Sequence, residues 1–387
     1  MRFAWVALMV TLAPTASGAD VKVQFRQSTK AAPLAVVLAP AGHPIIQQVL
    51  KQDWNVLIPE GVPTGDAGIL ALSQLVARAE KMPMVLPNRN FLIATGEQAW
   101  MAFYAPSRAA GLFAATLADG SPRPAMDSNR LFGANSANAT VFWTAPANQV
   151  DPEERSRLSA AGFPFQPINT VEEGLTRLAG REAEEFPAQS DCETGNPAFG
   201  RCHWVQILRI EAGRRNDALG STRVKPVASA TLSIGPFEYD ASVAGSPVVT
   251  SLPEGYKGPL QKDDRIVAID GKAVDSPAVY LRILADARQE KSVTVMIQRG
   301  RDRKRVEAKI VPRQWEETFT GRLQGQYLQD AKEILLVSRG VGALRLDVPP
   351  QWVGATVNWN GEELGKEVQE GCWIAVFGGR LQRCPAK

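Results

Sequence analysis

The residues best placed to do chemistry stand in and around GEQAW, Gly96 to Trp100, which follows the apolar run NFLIAT at 90–95. An apolar run that turns on a glycine into a helix-like stretch sets its turn at the carboxyl end of a buried strand, where open α/β sheets display ligand-binding groups. Glu97 is a candidate general base, alone or paired with Asp119. Ser121 and Ser107 carry hydroxyls that become nucleophiles only beside a base that takes their proton. Gln98, at the centre of the turn, has an amide with no ionisable proton to give up, so it cannot be that nucleophile. The chain has only two histidines, His43 and His203, and neither lies near the turn in sequence. A turn or surface carboxylate is the plainer reading of Glu97. Asp151, ahead of PEERSRL, reads as a helix N-cap.

The four cysteines, Cys192, Cys202, Cys372 and Cys384, allow three pairings, and the two local ones are expected. No C-x-x-C spacing is present, and two histidines are few for a metal centre, so no metal site is expected. Nothing in the sequence calls for a cofactor.

Several elements must position these groups. PLAVVLAP (33–40), NVLIP (55–59), NFLIAT (90–95), GLFAATLA (111–118) and ATVFWT (139–144) are continuous apolar runs, as strands buried on both faces should be. Amphipathic stretches separate them, including 67–81, and the alternation predicts a parallel α/β sheet. The texture changes near Cys192. RCHWVQILRIE (201–211) reads as one strand, 224–311 as a compact unit, and the rest as β-hairpins at 333–338, 343–348 and 355–359, with an Asn360-Gly361 turn.

The first residues, with Arg2, an apolar stretch over 3–12 and small residues before Ala19, read as a signal peptide at 1–19. No later run is long and apolar enough to span a membrane as a helix. With 45% hydrophobic and 21% charged residues the chain is globular, and a net charge of +3 gives no reason to expect nucleic acid. Its 387 residues suggest several domains.

Residues 33–185, and most clearly NFLIATGEQAWMAFYAPSRAAGLFAATLADGSP at 90–122, resemble the secreted esterase and depolymerase branch of the α/β-hydrolases. That likeness implies a nucleophile, an acid and a histidine in chain order. The matching positions hold Gln98, Asn148 beside Ala147, and Asn169 within the histidine-free FQPINT, so the resemblance implies a hydrolase fold without its triad. His43, in LAPAGHP, falls where such proteins build an oxyanion hole from backbone amides. FGRCHWVQILRI and the NWNG tail resemble the β-rich extension that some members carry.

A second resemblance covers 231–311. SPVVTSLPEG, LQKDDRIVAIDGKAV, a helix at about 277–289 and a closing hairpin resemble a PDZ domain of the bacterial type. It implies capture of a peptide or protein C-terminus by strand addition beside the helix. The carboxylate-holding loop would be Leu232, Ser233, Ile234 and Gly235, with Phe237 and Tyr239 on the next strand and Tyr280, Leu281 and Leu284 on the helix. Pro236 departs from the pattern because it has no amide to offer a ligand strand. Arg299, Arg301, Arg303, Lys304 and Arg305 read as a solvated turn of the final hairpin.

The expected organisation is multidomain: a signal peptide (1–19), an α/β-hydrolase-like parallel-sheet domain (20–190), and a β-rich domain (191–224 and 314–387) interrupted by a PDZ-like domain (225–313). The expected function is an exported, periplasmic or extracellular, non-catalytic binding or scaffold protein. The alternative is a carboxylic ester hydrolase or peptidase with a nonstandard site around Glu97, Gln98, Asp119 or Ser121.

Overall fold

A computed structural model describes residues 21–385 apart from 145–150, 215, 217, 226–231, 238, 240–244, 251, 253–254, 286, 288–290, 313–318 and 366. The expected signal peptide and Asn148 lie outside the described residues.

The first part of the chain runs β1 (Lys22–Arg26), β2 (Ala32–Leu38), α1 (Pro44–Leu50), β3 (Asn55–Glu60), α2 (Gly65–Ala79), β4 (Val85–Thr95), α3 (Met101–Arg108), β5 (Ala115–Asp119), α4 (Arg123–Asp127), β6 (Thr140–Thr144), α5 (Pro152–Ala160), β7 (Phe165–Ile168) and α6 (Val171–Ala179). The seven strands form one sheet in the order β1-β3-β2-β4-β5-β6-β7. All neighbours are parallel except β1, which runs antiparallel on β3. The continuous apolar runs have their cause in β2, whose alternate residues feed two cores. Leu34, Val36 and Leu38 join Leu72 and Phe103 on one face, while Ala35 and Val37 join Ile45 and Leu175 on the other. The run at 111–118 becomes a strand only from Ala115 onward.

Next come β8 (Gln189–Thr194), β9 (Arg201–Cys202) and β10 (Val205–Ile210). The single strand expected over 201–211 is broken at His203, whose φ of 53° folds β9 back onto β10 so that Cys202 faces Val205. Two side chains fix the break. Cys202 is disulfide-bonded to Cys192, and Trp204, 1% exposed, turns inward to donate from Nε1 to the Pro187 carbonyl at 2.8 Å.

The third part holds β11 (Leu232–Ser233), β12 (Arg265–Ile269), β13 (Lys272–Ala273), α7 (Pro277–Ala285), β14 (Ser292–Arg299), β15 (Asp302–Lys309) and β16 (Val311–Pro312). Four strands pair as β13-β12-β14-β15, and β11 pairs with β16. Strict alternation would put Ile266 and Ile269 on opposite faces, yet both are buried. Val267 is an extra residue between the Ile266–Ile297 and Ala268–Met296 pairs, and this bulge resets the face. Asp270 (φ 47°) and Gly271 (φ 79°) turn β12 into β13. Arg299 is a correction to the solvated turn expected there: its guanidinium forks onto fully buried Asp264 at 2.7 Å on both oxygens. Arg301, Arg303, Lys304 and Arg305 are exposed.

The last part adds β17 (Gly321–Leu328), β18 (Glu333–Arg339), β19 (Val341–Val348), β20 (Thr356–Trp359), β21 (Glu362–Glu363), β22 (Gly371–Val376) and β23 (Gln382–Arg383). Two five-stranded sheets, β23-β22-β19-β10-β9 and β21-β20-β18-β17-β8, share one core containing Trp204, Ile207, Leu336, Leu344 and Trp359. The strands expected at 333–338 and 343–348 exist but do not pair with each other as a hairpin. The chain changes sheet at Gly340 (φ 67°), where an added Cβ would stand 2.3 Å from the Phe319 ring. Asn360-Gly361 does form its tight turn, joining β20 to β21. Cys372 and Cys384 form the second disulfide.

Glu193, buried in β8, ties together the two segments that lead into and out of the third part. It accepts from Ser221 Oγ at 2.6 Å and from the Thr222 N–H and Oγ1 at 2.7 and 2.8 Å. It also accepts from Thr320 Oγ1 at 2.6 Å, with Arg339 alongside at 3.4 Å.

Candidate functional site

Strand order reverses between β2 and β4, so the crevice of the first sheet opens at their carboxyl ends. The chain leaves β4 at Thr95, passes through Gly96 with φ 57°, and closes a single 3₁₀ turn over Gly96–Gln98 before α3. The Ala99 N–H donates back to the Gly96 carbonyl at 3.2 Å. The left-handed residue of this junction is therefore Gly96, two places before Gln98. A Cβ added at Gly96 would meet nothing within 4 Å, so its bareness is not forced by crowding.

The structure does not bring either histidine to the junction as a partner. The Nδ1 of His43 accepts from the Ile45 N–H at 3.3 Å and so caps α1. It borders a cavity of about 190 Å³ shared with Gln24, Gln47 and Glu60. His203 stands on the β9–β10 turn, 3.2 Å from Asn138 Nδ2, and burial lowers its pKa. Asn169 precedes α6, where its N–H donates to Glu173 Oε2 while Thr170 Oγ1 accepts from the Glu173 N–H. Asp151 is the N-cap of α5, accepting from the Glu153 N–H at 2.8 Å. Ser107 is fully buried and accepts from the Phe132 N–H at 2.6 Å, which makes it a strut between α3 and the following loop.

Ser121 is different. Gly120 packs so closely on the junction that an added Cβ would stand 2.7 Å from Ala99 Cβ, and this brings Ser121 beside the crevice. Exposed Ser121 donates from Oγ to Glu154 Oε1 at 3.3 Å and accepts from the Arg123 N–H at 3.1 Å. Glu154 is 5% exposed. Its pKa is raised, first by burial, against the pull of Arg123, whose Nε stands 3.4 Å away. Sequence reasoning missed Glu154. Its signal was the pairing with Leu158 one helical turn on, which puts both on the inward face of α5. Glu97 is exposed, and Asp119 is half-buried opposite Thr95.

In the third part, the residues expected to line a peptide groove are brought together, but in mutual contact. Phe237, Tyr239 and Tyr280 form an aromatic trio with centroids 5.2–6.2 Å apart. Ile234, Leu281 and Leu284 are buried, and Gly235 has φ 109°. The Ile234 N–H donates to the Tyr280 hydroxyl at 3.1 Å, and that hydroxyl shares a second 3.1 Å bond with Ser233 Oγ. The Phe237 N–H donates to the Gly235 carbonyl at 2.9 Å. Leu232 and Ser233 form the short strand on β16.

No family model matches the chain. No curated protein matches it. Among solved structures, an HtrA-type protease, AlgW, solved with a decapeptide, is similar at 16% identity over 22% of this chain, with a TM-score of 0.20; the chain spans 30% of that protease. A Pyrococcus furiosus esterase is similar at 14% identity over 46% of this chain and 92% of its own, with a TM-score of 0.35. Est1E from Butyrivibrio proteoclasticus is similar at 10% identity over 42% of this chain and 93% of its own, with a TM-score of 0.31.

Among the described residues no helix is long and apolar enough to cross a membrane, and no group of acidic, histidine or cysteine side chains could hold a metal.

Proposed function

We propose that the chain is an exported, non-catalytic binding protein whose first domain keeps a hydrolase-like sheet without hydrolase machinery. The observation that carries this reading is Gly96 at the left-handed junction after β4. The residue at the strained turn has no side chain, and the Gln98 amide beyond it has no ionisable proton. His43 caps α1 and His203 stands beside Asn138, and neither imidazole is hydrogen-bonded to the Gly96–Gln98 turn. The experiment is a fluorophosphonate probe and short-chain esters applied to the purified mature protein. Absence of labelling and turnover is expected; labelling that one substitution abolishes overturns the reading.

In this proposal the domains are 20–190, 191–224 with 314–387, and an inserted PDZ-like unit at 225–313 that recognises a peptide or protein C-terminus. Its support is the L-x-x-x-D-x-I-x-x-I-x-G pattern, the turn at Asp270-Gly271 and the helix α7 beside β11. The amide of Ile234 already has the Tyr280 hydroxyl as its partner and Pro236 has none to offer, so an incoming carboxylate must displace Tyr280. Binding is then weak and rests on strand addition. A C-terminal peptide array with no specific hits would remove the peptide partner. Two disulfides fit an oxidising destination, periplasmic or extracellular.

A second reading, a carboxylic ester hydrolase, is favoured by one observation: the exposed Ser121 hydroxyl beside the buried, raised-pKa Glu154. Glu154 would accept the Ser121 proton as general base. Arg123 works against this, since an ion-paired carboxylate is a weaker base. Probe labelling lost in Ser121→Ala and in Glu154→Gln would select this reading over the first.

A further inference from the structure

A cavity of about 150 Å³ lies where three stretches of the chain meet, and neither Ser121 nor Gly96 lines it. Its wall is made by Arg108, Arg130 and Arg223, with Asp66, Asn129 and Asn196. Asp66 is the one carboxylate among the described lining residues, and its oxygens are saturated. It accepts from the Tyr104 hydroxyl at 2.7 Å, from Arg108 Nε and Nη2 at 2.9 and 3.1 Å, and from Arg130 Nη1 at 3.3 Å.

The three guanidiniums stay charged at any ordinary pH. Arg108 is only 4% exposed and is locked between Asp66 and the Phe199 ring, 4.2 Å from its centroid. Arg223 lies over the Phe132 ring at 5.6 Å. Asp66 stands in the first turn of α2, whose N-terminal end adds a further partial positive charge. Planar forks held by packing suit the bidentate capture of an oxyanion, and pockets of this kind favour the seams between structural units.

We infer that this cavity is a binding site for a small oxyanion, a carboxylate or a phosphate. Its occupant would touch the end of α3 through Arg108, the loop after α4 through Arg130, the β8–β9 loop through Asn196, and the strap toward the third part through Arg223. That strap is held to the first part by Val224 N–H on the Leu131 carbonyl at 2.8 Å and Gly133 N–H on the Thr222 carbonyl at 3.0 Å. An anion here would fasten the strap further.

The test is titration calorimetry on the whole mature protein with sodium phosphate and with sodium acetate, each against sodium chloride at equal ionic strength. Saturable binding of one or both is expected, and the anion that binds identifies the source as phosphate or carboxylate. Arg130→Gln combined with Arg223→Gln should weaken that binding about tenfold or more, as loss of charge-assisted bonds does. Should the double variant fail to fold, Arg130→Gln alone is read, since that side chain is 41% exposed. No saturable response beyond chloride, or an undiminished response in the variant, overturns the assignment.

Discussion

The Ile234 N–H points at the Tyr280 hydroxyl across 3.1 Å, so a loop expected to hold a ligand's carboxylate is instead closed by the protein's own side chain. Both residues are fully buried. The bond joins the start of the third part to its helix α7.

Tyr280→Phe should leave the Ile234 amide and the Ser233 hydroxyl without this partner. The expected cost is about 1–3 kcal/mol for buried polar groups left unsatisfied, read as a lower denaturant midpoint. If a peptide carboxylate does enter the loop, the same variant should bind it more tightly than the wild type, because no displacement is needed. Equal stability of the two proteins would count against the bond.

Acid should loosen the third part through Asp264. Burial alone would raise its pKa, but the fork of Arg299 and the Gln261 N–H more than offset this and hold it below the ordinary carboxylate value. A depressed folded pKa contributes stability that is present above about pH 4 and is lost as the pH falls through the folded value. Thermal unfolding followed from pH 6 to pH 2 should show this loss, and Asp264→Asn should flatten it.

Gly120→Ala should destabilise by about 1–3 kcal/mol, since the new methyl overlaps Ala99 and the φ of 151° at Gly120 is one that L residues rarely adopt. By contrast, Gly96→Ala meets no atom and carries only its left-handed backbone cost, about 1 kcal/mol. Both positions carry a positive-φ cost, so a larger fall in midpoint for Gly120→Ala is the expected mark of the added crowding there.

Opening the Cys192–Cys202 disulfide by paired serine substitution should cost about 2–3 kcal/mol by the chain-entropy estimate for a short loop. Cys192 and Cys202 are both buried in the core around Trp204. A fall in melting temperature of the purified double-serine variant is the expected readout.

Much of the first sheet was legible because β2, β3, β4 and β6 are buried on both faces, which leaves unbroken apolar runs. The cysteine pairs were legible from their spacing. What was not legible depended on contacts distant in sequence. His203 breaks a strand where Cys192 and Pro187 hold its neighbours, and β18 and β19 part at Gly340, a left-handed residue packed against the Phe319 ring. The bulge at Val267 hides in a sequence that alternates normally. At the site, the positions of His43 and Asp151 as caps were readable from local pattern for Asp151 alone. The Ser121–Glu154 contact joins residues 33 apart and needed the fold.

Glu193→Ala should cost about 3 kcal/mol or more, because it strands the hydroxyls of Ser221, Thr222 and Thr320 and leaves Arg339 without its buried counter-charge. Limited proteolysis should then cut near 219–225 and 319–321 faster than in the wild type.

That same carboxylate gathers both ends of the excursion, Thr222 and Thr320, on one side chain, while the strap also rests on the first part at Leu131 and Gly133. Lengthening or shortening the excursion between Thr222 and Thr320 changes its closure cost little, since doubling a loop costs only about 0.6 kcal/mol. A chain with this excursion replaced by a few glycines and serines should keep both host sheets. An excursion whose two ends meet on one carboxylate can change in length with little change in the entropy of closing it.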